Sequence, residues 1–217
     1  MTADLTDFLR RQLSEPDLTP IVFVVDDDVS VRASLADLLN FAGWEVETFA
    51  SAEEFLARPA TRSPSCLVLD VSLPDLNGLD LQERMAIDRV DIPIIFITGQ
   101  RDIPMTVRAM RAGAVEFLLK PLSIELLLPA IAGALDRSSR LIAEAAMLEE
   151  LRARYATLSG REREVMALVT SGKLNKNVGR ELGISEITVK AHRGRVMYKM
   201  AARSLADLVR IAASLRC

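Results

Sequence analysis

The chain of 217 residues has no apolar run long enough to cross a bilayer, and it has only two cysteines, Cys66 and Cys217. A transmembrane helix needs about 20 consecutive apolar residues, so no membrane-spanning segment is predicted. The two cysteines match neither a disulfide framework nor a metal site, which favours a reducing, cytoplasmic setting. The first 20 residues also lack the basic region and apolar block of a signal peptide.

Charge is distributed unequally along the chain. The formal net charge is only −3, but residues 157–217 contain 12 Lys and Arg against 5 Asp and Glu, or +7. Residues 1–156 therefore hold the other 15 of the 27 basic residues and 25 of the 30 acidic ones, or −10. A basic end joined to an acidic body is expected if only the second part contacts nucleic acid.

Residues 20 to about 137 alternate between strand and helix patterns. The five predicted strands are "PIVFVVDDD", "WEVETF", "CLVLD", "DIPIIFIT" and "VEFLLK", and five predicted helices follow them in alternation. Several of these strands are continuously apolar, which indicates a parallel sheet covered by helices on both faces. The first helix is predicted to be capped by Ser30 and to end at Gly43. Residues 1–19 are predicted to form a tail.

The second part of the chain is predicted to be entirely helical. Residues 138–156 contain no Gly or Pro, which predicts a helical linker or a continuation of the fifth helix. A short coiled-coil contact and a helix packed on its own domain are both compatible with this segment. From residue 157 the strand patterns disappear and four helices follow. The first has Ser159 and Glu162 at capping-box spacing, the second ends at Gly183, and the third begins at Ser185.

Polar side chains stand at the ends of four predicted strands: Asp26, Asp27 and Asp28, then Asp70, then Thr98, then Lys120. Ligands of open parallel sheets bind at the carboxyl ends of the strands. Carboxylates forced together repel one another, and a hard divalent cation such as Mg²⁺ removes that conflict. A lysine and a hydroxyl beside them suit phosphoryl transfer, with Asp70 as the nucleophile.

Three of these residues also have a purely structural interpretation. For Asp28 the start of the loop into the first helix is the favoured interpretation, whereas Thr98 also fits a turn and Lys120 also fits a helix entry. Their joint occurrence at strand ends favours one site. In that site Asp26 and Asp27 are predicted to hold the metal, Thr98 to receive a phosphoryl oxygen, and Lys120 to pair with the new charge.

The segments "VVDDD", "LVLDVSLPDLNG", "FITG" and "EFLLKP" resemble the receiver domain of two-component response regulators over about residues 20–137. The resemblance implies a flavodoxin-like α/β fold with strand order 2-1-3-4-5 and Asp70 as the phosphoacceptor. Mg²⁺ would be held by Asp27, Asp70 and the backbone carbonyl of Ser72, with Asp26 assisting. Thr98 and Phe117 would be switch residues, although Phe117 is also compatible with an ordinary strand aromatic. The family also implies a cis peptide before Pro121.

The two helices that meet at Gly183 match a helix-turn-helix, whose second helix enters the major groove. If Val189, Val196 and Met200 face inward, the outward face carries Ile187, Lys190, Ala191, Gly194 and Tyr198. Arg193, Arg195 and Lys199 then fall on the flanks, where phosphate contacts are expected. Asn175 and Lys176 begin the preceding helix, whose amino terminus suits a phosphate. His192 is the only histidine, and a packing or phosphate role is favoured.

Residues 158–200 resemble the LuxR-type four-helix DNA-binding domain, and nearly the whole chain resembles FixJ/NarL-type response regulators. The resemblance implies that Lys190, Ala191 and Gly194 face bases. The last helix, with Leu205, Leu208 and Val209, would form a dimer contact or an internal core. The predicted DNA-binding residues are Asn175, Lys176, Thr188, Lys190, Ala191, Arg193, Gly194, Arg195 and Lys199.

The sequence thus predicts a tail (1–19), a receiver domain (20–137), a helical linker (138–156) and an all-α helix-turn-helix domain (157–217). The function implied is that of a transcription regulator, not an enzyme. A sensor histidine kinase would phosphorylate Asp70, residues 103–119 would form a homodimer, and the dimer would bind a double-stranded DNA operator. RNA polymerase is a further candidate partner.

Two other functions fit parts of the sequence. A DNA-binding regulator whose receiver acts without phosphorylation is compatible with the domain order, although the intact acidic site argues against it. A phosphohydrolase with an aspartyl intermediate would carry a second acid two residues after the nucleophile. Ser72 occupies that position here.

Overall fold

A computed structural model describes residues 19–74, 76–88, 92–99 and 103–215, with the side chains of residues 86–88 excepted. The chain divides into two compact units, Met1–Ile142 and Ala143–Cys217. The tail predicted at residues 1–19 lies outside the described residues except for its last position. Within the described part, no helix has both the length and the apolar character that a membrane span requires.

The first unit contains a five-stranded parallel sheet with the order β2-β1-β3-β4-β5, which confirms the predicted fold class. Its elements are β1 (Ile21–Val25), α1 (Val29–Phe41), β2 (Glu45–Phe49), α2 (Ala52–Ala57), β3 (Ser65–Asp70), α3 (Gly78–Asp88), β4 (Ile94–Thr98), α4 (Ile103–Arg111) and β5 (Glu116–Leu119). The next helix, α5 (Ile124–Ala156), begins in the first unit and ends in the second.

The three central strands β1, β3 and β4 are buried along their whole length. Successive strand residues point to opposite faces of the sheet. One face carries the core around Phe23, Leu69 and Phe96, and the other carries the core around Val24 and Ile95. Burial on both faces is why these strands read as continuous apolar runs rather than as alternating patterns.

The start of α1 differs from the prediction. Asp28, not Ser30, is the N-cap residue, and its Oδ1 accepts a hydrogen bond of 2.7 Å from the backbone N–H of Ser30. The expectation that Ser30 caps the helix is therefore wrong by two residues. An aspartate in the extended conformation before the first turn satisfies a free helical N–H as well as a serine does. Gly43, with φ +92°, follows the end of the helix as predicted.

Helix α5 continues without interruption through residues 138–156, so the helical prediction for this segment is confirmed. Its buried Ser138 lies against the sheet of the first unit, where the side-chain oxygen accepts a 3.0 Å hydrogen bond from the backbone N–H of Ser65. This contact ties the first residue of β3 to α5.

The second unit is helical, with α6 (Gly160–Thr170), α7 (Asn175–Leu182), α8 (Glu186–Lys199) and α9 (Leu205–Ser214). The predicted capping box of Ser159 and Glu162 is present, and Ser185 caps α8. Gly183 ends α7 with φ +67°, a left-handed conformation that glycine adopts without strain. Val189, Val196 and Met200 are buried as predicted, which fixes the outward face of α8.

Candidate acidic site and nucleic-acid interface

The carboxyl ends of β1 and β3 and the residue after β5 bring Asp26, Asp70 and Lys120 into direct contact. The Nζ of Lys120 lies 2.6 Å from Oδ2 of Asp26 and 2.6 Å from Oδ2 of Asp70. Asp26 is fully buried and Asp70 is 5% exposed. The three residues are far apart in the sequence, and they meet because parallel strands end at the same edge of the sheet.

The charge of Lys120 is maintained by these contacts. Partial burial of the ammonium acts to lower its pKa, but hydrogen bonds from Lys120 to Asp26 and Asp70 outweigh that effect and raise the pKa above its ordinary value. The ammonium therefore remains protonated at neutral pH. It neutralises part of the negative charge that the buried carboxylates place at this edge.

Backbone amides orient the other oxygens of the two buried carboxylates. Oδ1 of Asp26 accepts a 2.9 Å hydrogen bond from the N–H of Asp28, and Oδ1 of Asp70 accepts a 3.0 Å hydrogen bond from the N–H of Ser72. Each carboxylate is thus held at one oxygen by the loop that follows it and at the other by Lys120. This arrangement fixes Oδ2 of Asp70, which faces the lysine.

The donor set fits a hard divalent cation. One carboxylate oxygen from each of Asp26, Asp27 and Asp70 lies within 4.8 Å of the others. Three formal negative charges against one ammonium leave a formal charge of −2, which a divalent cation would balance. Asp27 is exposed, so a cation held there would retain water, as Mg²⁺ prefers. Ser72 is also exposed, in the loop directly after Asp70.

The two predicted switch residues lie on neighbouring strands, and Thr98 is the one in contact with the cluster. Thr98 ends β4 and is 1% exposed, and its carbonyl oxygen accepts a 2.7 Å hydrogen bond from the N–H of Lys120. The half-buried ring of Phe117 has its centroid 6.2 Å from that of Phe96. The Lys120–Pro121 peptide is cis, as the resemblance implied. Asp26, Asp27, Asp70, Ser72, Thr98 and Lys120 therefore lie at or just beyond the carboxyl ends of their strands, whereas Phe117 lies within β5, paired with Phe96 of β4.

Arg32 is a component of this edge that the sequence analysis missed. It lies one turn into α1, and its Nη1 donates to the carbonyl oxygens of Asp26 at 2.6 Å and of Asp27 at 3.0 Å. Its guanidinium thus holds the backbone of the loop that carries two of the candidate metal ligands. The partners are backbone atoms, so no pattern of side chains in the sequence indicates the contact.

Gly78 was also missed. A Cβ at this position would lie 2.8 Å from the backbone oxygen of Asp70 and 3.1 Å from the ring of Phe96. A side chain cannot be added there without moving the backbone that carries Asp70. The glycine is therefore required by close approach of α3 to the end of β3.

In the second unit, the outward face of α8 is as predicted. Ile187, Lys190, Ala191, Gly194 and Tyr198 are all exposed, and they lie opposite the buried residues of the same helix. Ile187 is 80% exposed and Tyr198 is 87% exposed, which is high for large side chains. Lys190 forms an ion pair with Glu186 one turn earlier, at 3.2 Å.

The other predicted DNA-binding residues surround this face. Lys176 and Arg195 are exposed, and Asn175 begins α7. Nη1 of Arg193 lies 3.4 Å from Oδ1 of Asn175, which links α8 to the start of α7. The hydroxyl of Thr188 lies 2.8 Å from that of the capping Ser185, so Thr188 takes part in the helix cap.

Lys199 has contacts that the sequence did not indicate. Its Nζ lies 2.7 Å from Oε2 of Glu162 and 3.0 Å from the carbonyl oxygen of Thr157. The hydrogen bond from Lys199, assisted by that from the N–H of Ser159, lowers the pKa of Glu162 to about 2, against the opposing effect of its burial. In the free protein the Lys199 ammonium is thus bound within the unit rather than presented to a phosphate.

The last helix is buried on one side and exposed on the other. Leu208 is fully buried in the core of the second unit, whereas Leu205 and Val209 are exposed at 38% and 40%. His192 is half-buried, and its Nδ1 is buried without a hydrogen-bond partner in the described residues. This placement accords with a packing role for His192 more than with a metal site.

Comparison with known proteins identifies both units. Residues 22–132 match the response regulator receiver domain, and residues 156–212 match the bacterial regulatory proteins of the luxR family. Nodulation protein W of Bradyrhizobium diazoefficiens is 50% identical over 93% of this chain and 89% of its own. The transcriptional regulatory protein FixJ of Rhizobium meliloti is 42% identical over 88% of this chain and 94% of its own.

Solved structures agree with these relatives. The low-resolution structure of the response regulator StyR is 46% identical, with a TM-score of 0.78, and covers 90% of this chain and 98% of its own. Full-length FixJ from B. japonicum is 40% identical, with a TM-score of 0.54, and covers 90% of this chain and 97% of its own. The chain therefore belongs to the FixJ-like response regulators, transcriptional regulators that join a receiver domain to a LuxR-type DNA-binding domain.

Proposed function

We propose that phosphorylation of Asp70 by a sensor histidine kinase converts this regulator to a dimer that binds a two-fold DNA operator. The observation that carries the proposal is the placement of the Lys120 ammonium 2.6 Å from Oδ2 of both Asp26 and Asp70. A carboxylate held in contact with a fixed ammonium is ready both to attack a phosphoryl group and to have its product charge neutralised.

The chemical step is a phosphoryl transfer to Asp70. Its Oδ2 attacks the phosphorus of a phosphohistidine, the phosphorus–nitrogen bond breaks, and an acyl phosphate forms on the aspartate. Lys120 leaves the carboxylate oxygen and pairs with a phosphoryl oxygen, while Asp26 keeps the ammonium in place. Bound Mg²⁺, held by Asp27, Asp70 and the carbonyl of Ser72 with Asp26 assisting, would supply further neutralisation of the phosphoryl charge.

The switch that follows involves Thr98 and Phe117. The Thr98 hydroxyl would turn to the phosphoryl group, and the ring of Phe117 would move inward into the space that Thr98 leaves. Because the two residues lie on adjacent strands β4 and β5, a change at the site reaches the surface of α4 and β5 directly. Phosphorylation shifts the population between two receiver conformations rather than building a new one.

The surface of α4 and β5 supports the proposed dimer. It carries four exposed apolar side chains within the predicted dimer segment, Ile103, Val107, Met110 and Leu119. Ile103, Val107 and Met110 share one face of α4 by their spacing, and exposed apolar side chains grouped in this way commonly mark a protein interface. Two DNA-binding domains joined in this way match an operator with two-fold symmetry, with α8 of each entering a major groove. Contact with RNA polymerase remains a prediction.

The experiment is intact mass spectrometry after incubation with acetyl phosphate and Mg²⁺, with sizing of the same samples. The variants are Asp70→Asn and, as a matched control, Asp28→Asn. Asp28 is an adjacent exposed carboxylate whose capping role an asparagine preserves. Wild type and Asp28→Asn are expected to gain one phosphoryl group and to dimerise, and Asp70→Asn to do neither.

Two outcomes would contradict the proposal. Uptake of a phosphoryl group by Asp70→Asn would place the phosphoacceptor elsewhere. No uptake by wild type, under conditions where another receiver is modified, would favour the regulator that acts without phosphorylation.

A further inference from the structure

The outward face of α8 has an unusual composition for a surface that contacts DNA. Ile187, Ala191, Gly194 and Tyr198 follow one another at intervals of four, three and four residues, so they lie in one row along the helix. None of the four carries a charge, and only Tyr198 has a polar side-chain atom. The charged side chains of Lys190 and Arg195 lie on either side of this row.

The row has no role in folding the second unit. Ile187 is 80% exposed, whereas the apolar residues on the opposite side of α8 are fully or almost fully buried. A Cβ added at Gly194 would meet no atom within 4 Å. A glycine inside a helix costs about 1 kcal/mol relative to alanine. Neither the exposed isoleucine nor the glycine is therefore explained by stability, and both lie where the DNA is expected.

In the major groove of DNA, the apolar group that base edges present is the C5 methyl of thymine. The polar edges of guanine, cytosine and adenine would lose water against Ile187 without gaining a hydrogen bond, which costs binding energy. An exposed isoleucine at the amino-terminal end of the outward face therefore favours thymine and disfavours the other bases. The small residues Ala191 and Gly194 allow the helix to approach closely enough for this contact.

We propose that Ile187 is a specificity-determining residue that reads a thymine methyl group in each operator half-site. The inference rests on the proposed operator binding and extends it to the base that is recognised. Charged residues on the flanks, such as Arg195, contact phosphates and position the helix. Ile187 in the apolar row then distinguishes thymine from the other bases, a task that side-chain hydrogen bonds to base edges perform in other proteins that bind the major groove.

The test begins with the full chain, treated with acetyl phosphate, and duplexes that it selects from a random-sequence DNA pool. Each thymine of the selected duplex is then replaced in turn by deoxyuridine, which removes only the methyl group. Binding is measured by fluorescence anisotropy for wild type, Ile187→Ala and Arg195→Ala. The exposed position of Ile187 makes its truncation harmless to folding, which circular dichroism checks.

Replacement by deoxyuridine is expected to weaken binding at one thymine in each half-site. Its replacement should weaken wild-type binding about fourfold, which corresponds to about 0.8 kcal/mol for one buried methyl-sized group. Ile187→Ala should bind the thymine and deoxyuridine duplexes equally. Arg195→Ala should bind both more weakly, with a smaller dependence on salt, while retaining the fourfold ratio.

The outcomes separate the inference from the function on which it rests. If a sequence is selected but no deoxyuridine substitution matters, or if Ile187→Ala keeps the wild-type ratio, the inference is overturned and operator binding stands. If no sequence is enriched from the pool, both operator binding and the inference are overturned.

Discussion

The turn between α7 and α8 depends on Gly179, which predicts the effect of a single added methyl group. A Cβ at Gly179 would lie 2.7 Å from the carbonyl oxygen of Ile184, a backbone atom that cannot rotate away. The carbonyl oxygen of Gly179 itself accepts hydrogen bonds from the N–H groups of Gly183 and Ile184. Relief of the clash in Gly179→Ala must therefore move α7 against the turn that positions α8.

The expected magnitude follows from two opposing effects. Alanine is favoured over glycine in a helix by about 1 kcal/mol, and overpacking costs about 1–3 kcal/mol. Because backbone rather than a flexible side chain must move at Gly179, we place the cost at the upper end, for a net loss of about 1–2 kcal/mol. For a domain of this size that lowers the melting temperature by at least about 4 °C.

Gly194→Ala is the matched control because it makes the same chemical change in the neighbouring helix. A Cβ there meets no atom within 4 Å, so only the helix preference acts. We expect Gly194→Ala to raise the stability of the second unit by about 0.5–1 kcal/mol. The two variants should therefore change stability in opposite directions.

The assay is differential scanning calorimetry of the full chain. The transition of the receiver is identified by its shift with Mg²⁺, since a ligand that binds only the folded form raises that form's melting temperature. The other transition reports the second unit. A Gly179→Ala variant as stable as wild type, or as Gly194→Ala, would refute the reasoning on close approach at this turn.

Three further predictions concern contacts in the two units. Gly78→Ala should slow phosphorylation of Asp70 by acetyl phosphate, because the added Cβ would lie 2.8 Å from the backbone oxygen of Asp70 and would displace that residue. An unchanged rate would contradict the requirement for a glycine at this position. Glu162→Gln should lower the melting temperature of the second unit at pH 6 but much less at pH 3. The pKa of Glu162 is lowered in the folded protein, so the stabilisation from its pair with Lys199 is complete above about pH 4.5 and is lost as the pH falls towards about 2. A difference in melting temperature between wild type and Glu162→Gln that did not change with pH would contradict this role of the pair. Arg32→Ala should weaken Mg²⁺ binding by about tenfold, measured by titration calorimetry, because the guanidinium holds the backbone of the residues that would bind the ion. An unchanged affinity would show that the β1–α1 loop holds its shape without the guanidinium.

The arrangement of the receiver could be predicted because the sheet itself forces it. Asp26, Asp70 and Lys120 each follow an apolar strand, and parallel strands deliver such residues to one edge whatever the details of the loops. The strand order followed from the resemblance, and the structure confirms it. The outward face of α8 was predictable for a similar reason, since helical periodicity places Ile187 opposite Val196.

Contacts between distant segments could not be predicted in this way. Arg32 binds carbonyl oxygens, and Gly78 is required by a backbone atom of β3, so neither partner is visible in a pattern of side chains. Lys199 lies on the flank of α8 by helical periodicity, as predicted. That periodicity gives no indication that the start of α6 places the carboxylate of Glu162 against it.

The most direct test of the central claim is the affinity of the full chain for a selected DNA duplex with and without acetyl phosphate and Mg²⁺. Allosteric coupling is typically 5–150-fold, so wild type should bind more tightly by about that factor after phosphorylation. Asp70→Asn should bind with the same affinity in both conditions. Equal affinity of wild type in both conditions, or a response that Asp70→Asn retains, would contradict control of DNA binding through Asp70.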